Sequence, residues 1–213
     1  GDSFPPTVQY INAYISRRVR TNSKEMQHMK VFFFTATGNC LAVAKQIGGE
    51  AISIPQAIRK SNQTYKDDAI GFAFPVFDGT VPRIVRNFVG GNKFQADYFF
   101  AVATYGIFPG HSLAVFQKLA TEAGIKLDYS ASVKTVDNYL PLFDLEKEIQ
   151  NQGKKHTEET VARIQTDVAA RKHQLEKNGA IKEIGAFFER ALLDKADGGK
   201  AARDFSVNEN CVK

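Results

Sequence analysis

Residues 32–46 read FFFTATGNCLAVAKQ: an apolar run, then Thr35-Ala36-Thr37-Gly38-Asn39-Cys40, then a helical pattern. The six small residues have little apolar surface to bury and many groups that hydrogen-bond. A buried strand that breaks into such a loop and turns at once into a helix reads as the first half of a β-α-β unit. The loop either simply turns the chain or holds something.

Working outward, five β-like runs stand out: Lys30–Thr35, Ala51–Ile54, Ala69–Phe74, Tyr98–Thr104 and Lys126–Thr135. The first, third and fourth are almost continuously apolar, the mark of strands covered on both faces. Helical patterns separate them at Leu41–Gly48, Arg83–Val89 and His111–Ala123, the last ending at the C-cap signal Gly124. Alternation of this kind predicts an α/β fold, a parallel doubly wound sheet with right-handed crossovers. Ligands of such sheets bind beyond the carboxyl ends of the strands, where this sequence places its small-residue loops.

Beyond Phe143 the chain becomes strongly charged. Ile149, Val161, Ile164, Val168 and Leu175 recur at roughly helical spacing and predict a long amphipathic helix over residues 146–177. A further helix is expected over Ile181–Leu193, then an exposed connection. Residues 1–28 read as an N-terminal extension ahead of Met29, helical around Val8, Ile11, Ile15 and Val19.

With 213 residues, 43% of them apolar, the chain suits one main core. Lys and Arg number 28 against 23 Asp and Glu, a net charge of +5 with the cations dispersed; only Arg17, Arg18 and Arg20 cluster. That balance does not suit nucleic-acid binding. No apolar run approaches the roughly 20 residues of a membrane span, and GDSFPPTVQY lacks a signal-peptide layout. Two cysteines make no disulfide framework, so a cytoplasmic location is expected.

Three loops carry chemistry. In the first, the hydroxyls of Thr35 and Thr37 and the N–H groups of Gly38, Asn39 and Cys40 could converge on a phosphate, helped by the helix dipole. An ordinary N-cap explains Thr and Asn equally well at this point. The loop is neither a Walker A motif nor a GxGxxG fingerprint. The second loop, Pro75-Val76-Phe77-Asp78-Gly79-Thr80-Val81-Pro82, and the third, Thr104-Tyr105-Gly106-Ile107-Phe108-Pro109-Gly110, each set an aromatic residue beside a glycine at a strand's carboxyl end. Aromatic side chains on such loops suit a planar ligand. The four histidines, His28, His111, His156 and His173, show no metal-ligand spacing, and His111 is placed to cap the helix after the third loop.

TATGNC resembles the T/S-x-T-G-x-T/S phosphate loop of flavodoxins. MKVFFFTATGNCLAVAKQI, FPVFDGTVPRIVRNF, YGIFPG and DNYLP are similar to segments of the flavodoxin domain of bacterial flavodoxin–ferredoxin fusion proteins, over about residues 29–195. The resemblance implies a flavodoxin-like, five-stranded parallel sheet of order 2-1-3-4-5, extra C-terminal helices, and non-covalent FMN. Thr35, Thr37, Gly38, Asn39 and Cys40 would then hold the phosphate. Pro75, Val76, Phe77, Asp78 and Gly79, with Thr104, Tyr105, Gly106 and Gly110, would flank the ring, Phe77 and Tyr105 stacking on it. Asn138 and Tyr139 would approach the ring or its ribityl chain. Asp78-Gly79 is a candidate for tuning reduction, since a Gly-containing peptide reorients at little steric cost, and Asp78 and Asp137 would oppose an anionic reduced flavin. Cys40 stands where Ser or Thr is usual and is a weaker donor, so phosphate binding would lean on backbone N–H groups and the thiol is a candidate for oxidation.

DFSVNENCVK, residues 204–213, looks like the lead-in to a bacterial ferredoxin module, with Cys211 as the first cysteine of a C-x₂-C-x₂-C-x₃-C-P run. The resemblance therefore implies an electron-transfer domain relaying electrons to or from a [4Fe-4S] ferredoxin module, fused or separate, with residues 196–213 as linker. A flavin-dependent NAD(P)H or quinone-type reductase is the enzyme alternative, which NAD(P)H turnover by the isolated domain would favour. A flavin-free interaction module on the same fold is the third.

Overall fold

The computed structural model describes residues 28–60, 62–136 and 155–177. Its elements follow the predicted alternation: β1 (Met29–Phe33), α1 (Asn39–Ile47), β2 (Glu50–Ser53), α2 (Ile54–Ala57), β3 (Thr64–Lys66), β4 (Ala69–Pro75), α3 (Arg83–Gly90), β5 (Lys93–Gln95), β6 (Tyr98–Tyr105), α4 (Ser112–Glu122), β7 (Tyr129–Lys134) and α5 (Thr157–Ala169). Five strands form one sheet in the order β2-β1-β4-β6-β7, and every pairing is parallel. Setting aside β3 and β5, which pair only with each other, this is the 2-1-3-4-5 order. The fold is flavodoxin-like α/β.

Alternation along the strands sorts side chains into two layers. Phe72, Phe74, Phe99, Ala101 and Ala103 join Phe32, Val85, Phe88, Leu113 and Phe116 on the face covered by α3 and α4. Val31, Ala73, Phe100 and Val102 pack with Val43, Ala44, Ile47, Val161, Ile164 and Val168 on the face covered by α1 and α5. The helix α4 ends as its glycine predicts. Gly124 takes φ 76°, its N–H donates to the Thr121 carbonyl at 3.0 Å, and the Ile125 N–H donates to Ala120 at 2.8 Å, a Schellman closure.

Two differences from the sequence reading have physical causes. The short strands β3 and β5 have one apolar residue of interest each, Tyr65 and Phe94, whose rings stack at 5.6 Å and cover Phe32. Three-residue strands carry too few positions for a period to show. The helix expected over 146–177 is α5 alone within the described residues, and 170–177 are not helical. Arg171 takes φ 48°, and Lys172–Glu176 run beside the outer edge of β7. The Ser130 N–H donates to the Gln174 carbonyl at 3.0 Å, and the Glu176 carboxylate accepts from the Ser132 N–H at 2.6 Å and hydroxyl at 2.7 Å. An open sheet edge thus outbids helix propensity for these residues. The helices expected over 8–19 and 181–193 lie outside the described residues.

Candidate functional site at the carboxyl edge

Because every strand of the main sheet is parallel, the loops after β1, β4, β6 and β7 all emerge at one edge. The loop after β1 holds the chain extended for one more residue, with the Phe34 N–H donating to the Ala73 carbonyl at 3.0 Å. It then folds back so that the Thr35 hydroxyl accepts from the Gly38 N–H at 2.9 Å. Gly38 is the N-cap of α1, in the left-handed region at φ 99°, and no side chain caps the helix. The N-cap explanation of Thr and Asn in this loop therefore does not describe the structure. Among the described residues no side chain bonds the N–H groups of this first turn, and the positive end of the helix dipole lies behind them. Thr37 is exposed beside them.

Asn39 and Cys40 send their side chains elsewhere. The Asn39 amide donates to the Thr135 hydroxyl and to the Val136 carbonyl, each at 3.1 Å. Cys40 is 1% exposed, and its Sγ lies 3.1 Å from the Thr104 hydroxyl. Only its backbone faces the rim loop. Burial pushes the thiol up to about 12 from 9.0, against a lowering contribution from the Thr104 hydrogen bond. The thiolate is the reactive form, so Cys40 is a core residue and not an exposed redox thiol. In a Cys211→Ser background the native protein is expected to consume no thiol reagent at neutral pH until it is unfolded. The same group sets an alkaline limit. Its folded pKa is raised, so its stabilising effect is complete below pH 9 and is lost as pH rises from 9 toward 12. The slope is about 1.4 kcal/mol per pH unit, and Cys40→Ala should flatten it in denaturant titrations at pH 8 and 10.

The second loop is a tight hairpin turn. Phe77 and Thr80 exchange N–H···O bonds at 3.1 and 2.9 Å, and Asp78 and Gly79 between them have φ 50° and 69°, both positive as a type I′ turn requires. Asp-Gly is the dipeptide that suits it. The turn holds Phe77 up, 43% exposed, with its ring edge-to-face on Phe34 at 5.9 Å. Pro75 and Val76 lie at the strand end, where the Val76 N–H donates to the Thr104 carbonyl at 2.8 Å.

The third loop leans on the second. The His111 N–H donates to the Gly79 carbonyl at 2.9 Å, and Gly110 sits so close to Gly79 that a Cβ on it would meet the Gly79 oxygen at 2.3 Å. His111 is the N-cap residue of α4, but its side chain makes no cap bond, contrary to its expected capping role. Thr104 is buried, whereas Tyr105 and Gly106 are only partly covered. Burial and then the Glu176 carboxylate raise the Tyr105 hydroxyl above the usual tyrosine range. Ile107 stands out at 36% exposure. Among the described residues, Phe77 and Ile107 are the large hydrophobic side chains left exposed, and both belong to this rim. Asp137, Asn138 and Tyr139 lie outside the described residues.

The rim thus brings together Thr35, Thr37, Gly38, the backbone of Asn39 and Cys40, Phe77, Asp78 and Gly79, with Tyr105, Gly106 and Ile107 on the neighbouring loop. Sequence reasoning did not single out Ile107 or Thr135. A cleft of about 610 Å³ lies at the opposite, amino edge, lined by His28, Lys30, Glu50, Asp67 and Asp97 among others. Lys30 there pairs with two of the lining carboxylates, its Nζ lying 2.6 Å from Asp67 and 3.7 Å from Glu50. Among the described residues no cluster of His, Cys, Asp or Glu could hold a metal ion, and no helix is long and apolar enough to cross a membrane.

No family model and no curated protein matches this chain. Among solved structures, the two-electron reduced flavodoxin of Megasphaera elsdenii is similar at 16% identity and TM-score 0.35, over 49% of this chain and 85% of that one. A flavodoxin from the domain Archaea is similar at 15% identity and TM-score 0.37, over 67% and 96%. The azoreductase AzrA is similar at 8% identity and TM-score 0.39, over 67% and 97%. Likeness at this level carries no argument about a ligand; the strand order and the loop geometry are independent of it.

Proposed function

We propose that the carboxyl-edge rim is an FMN site and that the domain is an electron-transfer flavoprotein serving a ferredoxin-type iron–sulfur partner. The observation that carries this reading is the pairing of two features on one rim. Among the described residues no side chain caps the helix start behind Gly38, which offers N–H groups to an anion, and Phe77 and Ile107, the large hydrophobics exposed among those residues, stand on the two loops beside it. A phosphorylated planar ligand satisfies both at once. The residues fit the group. A left-handed glycine with nothing within 4 Å of its Cβ position allows close backbone approach to a phosphate, and Thr35, Thr37 and the N–H groups of residues 39 and 40 supply donors. Phe77 and Tyr105 offer faces to the ring.

Bound FMN supplies one- and two-electron chemistry, which suits a link between a two-electron donor and a one-electron cluster. The protein's part is to bind, orient and set the charge near the ring. Asp78, exposed on the turn, places a negative charge there and opposes an anionic reduced form. The likeness of DFSVNENCVK to a ferredoxin lead-in supports the choice of partner.

The test is the absorption spectrum of the purified protein after FMN loading, followed by release and identification of the ligand. A yellow protein that releases FMN is expected. Phe77→Ala should weaken FMN binding at least about tenfold, by loss of an aromatic contact over the ring. Because Phe77 is exposed, the apoprotein's stability should move by less than about 0.5 kcal/mol. A colourless protein that takes up no FMN refutes the proposal.

A further inference from the structure

Thr135, 6% exposed just past β7, joins two parts of the rim, and Lys155 ahead of α5, through all of its polar groups. Its N–H donates to the Tyr105 carbonyl at 2.8 Å. Its hydroxyl accepts from the Asn39 amide at 3.1 Å and lies 3.4 Å from the same Tyr105 carbonyl, to which it can donate. Its carbonyl accepts from Lys155 Nζ at 2.9 Å. Asn39 closes the connection with its second bond, to the Val136 carbonyl. On one side of Thr135 is therefore the first residue of α1, whose N–H groups face the anion cradle. On the other is Tyr105, at the start of the loop that carries Ile107.

We propose that Thr135 is a positioning residue that fixes the distance between the anion cradle at the start of α1 and the aromatic loop at Tyr105, with Asn39 as its partner and not as a phosphate ligand through its side chain. This rests on the FMN reading. A ligand whose phosphate and ring are joined by a chain of set length gains affinity over either end alone only if the two subsites are held at the matching separation. A hydroxyl is needed at 135 because the same oxygen must accept from Asn39 and donate to a carbonyl. Valine has the shape of threonine and does neither; serine does both.

The experiment compares FMN with riboflavin, which has the ring and ribityl chain but no phosphate. Dissociation constants come from flavin fluorescence quenching on folded protein, checked by thermal unfolding. In the wild type FMN should bind much more tightly than riboflavin. Thr135→Val should shrink that advantage about five- to tenfold, and Thr135→Ser should restore most of it. Asn39→Ala should shrink it similarly, and the double variant should lose no more than the larger single loss, since both changes cut one connection. If Thr135→Val weakens FMN and riboflavin by the same factor, or leaves their ratio unchanged, the positioning role is overturned while the FMN site stands. Asn39→Ala decides the same question if the valine variant does not fold. A wild-type protein that binds neither flavin overturns the FMN reading and this proposal with it.

Discussion

Gly71→Ala is expected to lower the unfolding free energy by about 3 kcal/mol, the upper end of what overpacking a core costs. Gly71 is central in β4, in register with Val31 on β1 and Phe100 on β6. The Phe100 ring lies over it: a Cβ at 71 would meet three ring atoms at 2.1, 2.3 and 2.7 Å. Those are not separations that a small adjustment relieves. Phe100 is fully buried among Val31, Val43, Ile47, Val102 and Ile164, so the ring has no open direction in which to swing. For a chain of this size the change corresponds to a fall of roughly 6–12 °C in melting temperature. Thermal unfolding of the ligand-free protein reads it directly. Phe100→Leu in the same background should recover part of the loss, although alone it leaves a cavity and destabilises. A melting temperature within about 2 °C of the wild type in Gly71→Ala would show that this packing account is wrong.

How far the sequence led depends on whether a feature is local. The main sheet was legible because β1, β4 and β6 are nearly unbroken apolar runs, and because the loop after each is rich in small residues. The helix end at Gly124 is equally local. Cys40 shows a signal present but misread. It falls at i, with Val43, Ala44 and Ile47 at i+3, i+4 and i+7, which is the buried face of α1. Its place in TATGNC drew it toward the ligand, whereas its helical phase sent its side chain into the core against Thr104.

Other features had no local signal. Residues 172–176 carry a pattern compatible with a helix, and only the unpaired edge of β7 makes the extended form better. Thr135 reads as one more residue at a strand end. Its role comes from Asn39, 96 positions earlier, and Tyr105, 30 positions earlier, a convergence that the crossovers create. Asp78-Gly79 sits between these cases. The dipeptide announces a type I′ turn, but that the Gly79 carbonyl is held by the His111 N–H is visible only in three dimensions.

Gly110→Ala is the site counterpart of Gly71→Ala, and here backbone meets backbone. A Cβ at 110 would lie 2.3, 2.5 and 2.7 Å from the oxygen, Cα and carbonyl carbon of Gly79. Gly110 also takes φ 53°, where an L-residue is strained by about 1–2 kcal/mol. The strain and the clash together are expected to cost about 3 kcal/mol. The only relief is to push the 77–80 turn away from the third loop, which breaks the 2.9 Å bond from His111 to Gly79 and carries Phe77 with it. FMN affinity should therefore fall at least about tenfold in molecules that remain folded, because the ring faces no longer keep their spacing. Gly38→Ala separates this from mere backbone strain: its φ is also positive, at 99°, but a Cβ there meets nothing within 4 Å. It should cost only the conformational part, about 1–2 kcal/mol. The measurement is paired: urea midpoints for both apoproteins and FMN titrations below each midpoint. Equal stability losses in the two variants would mean that the Gly79–Gly110 contact gives way freely, and then the two loops do not hold Phe77 in place through it.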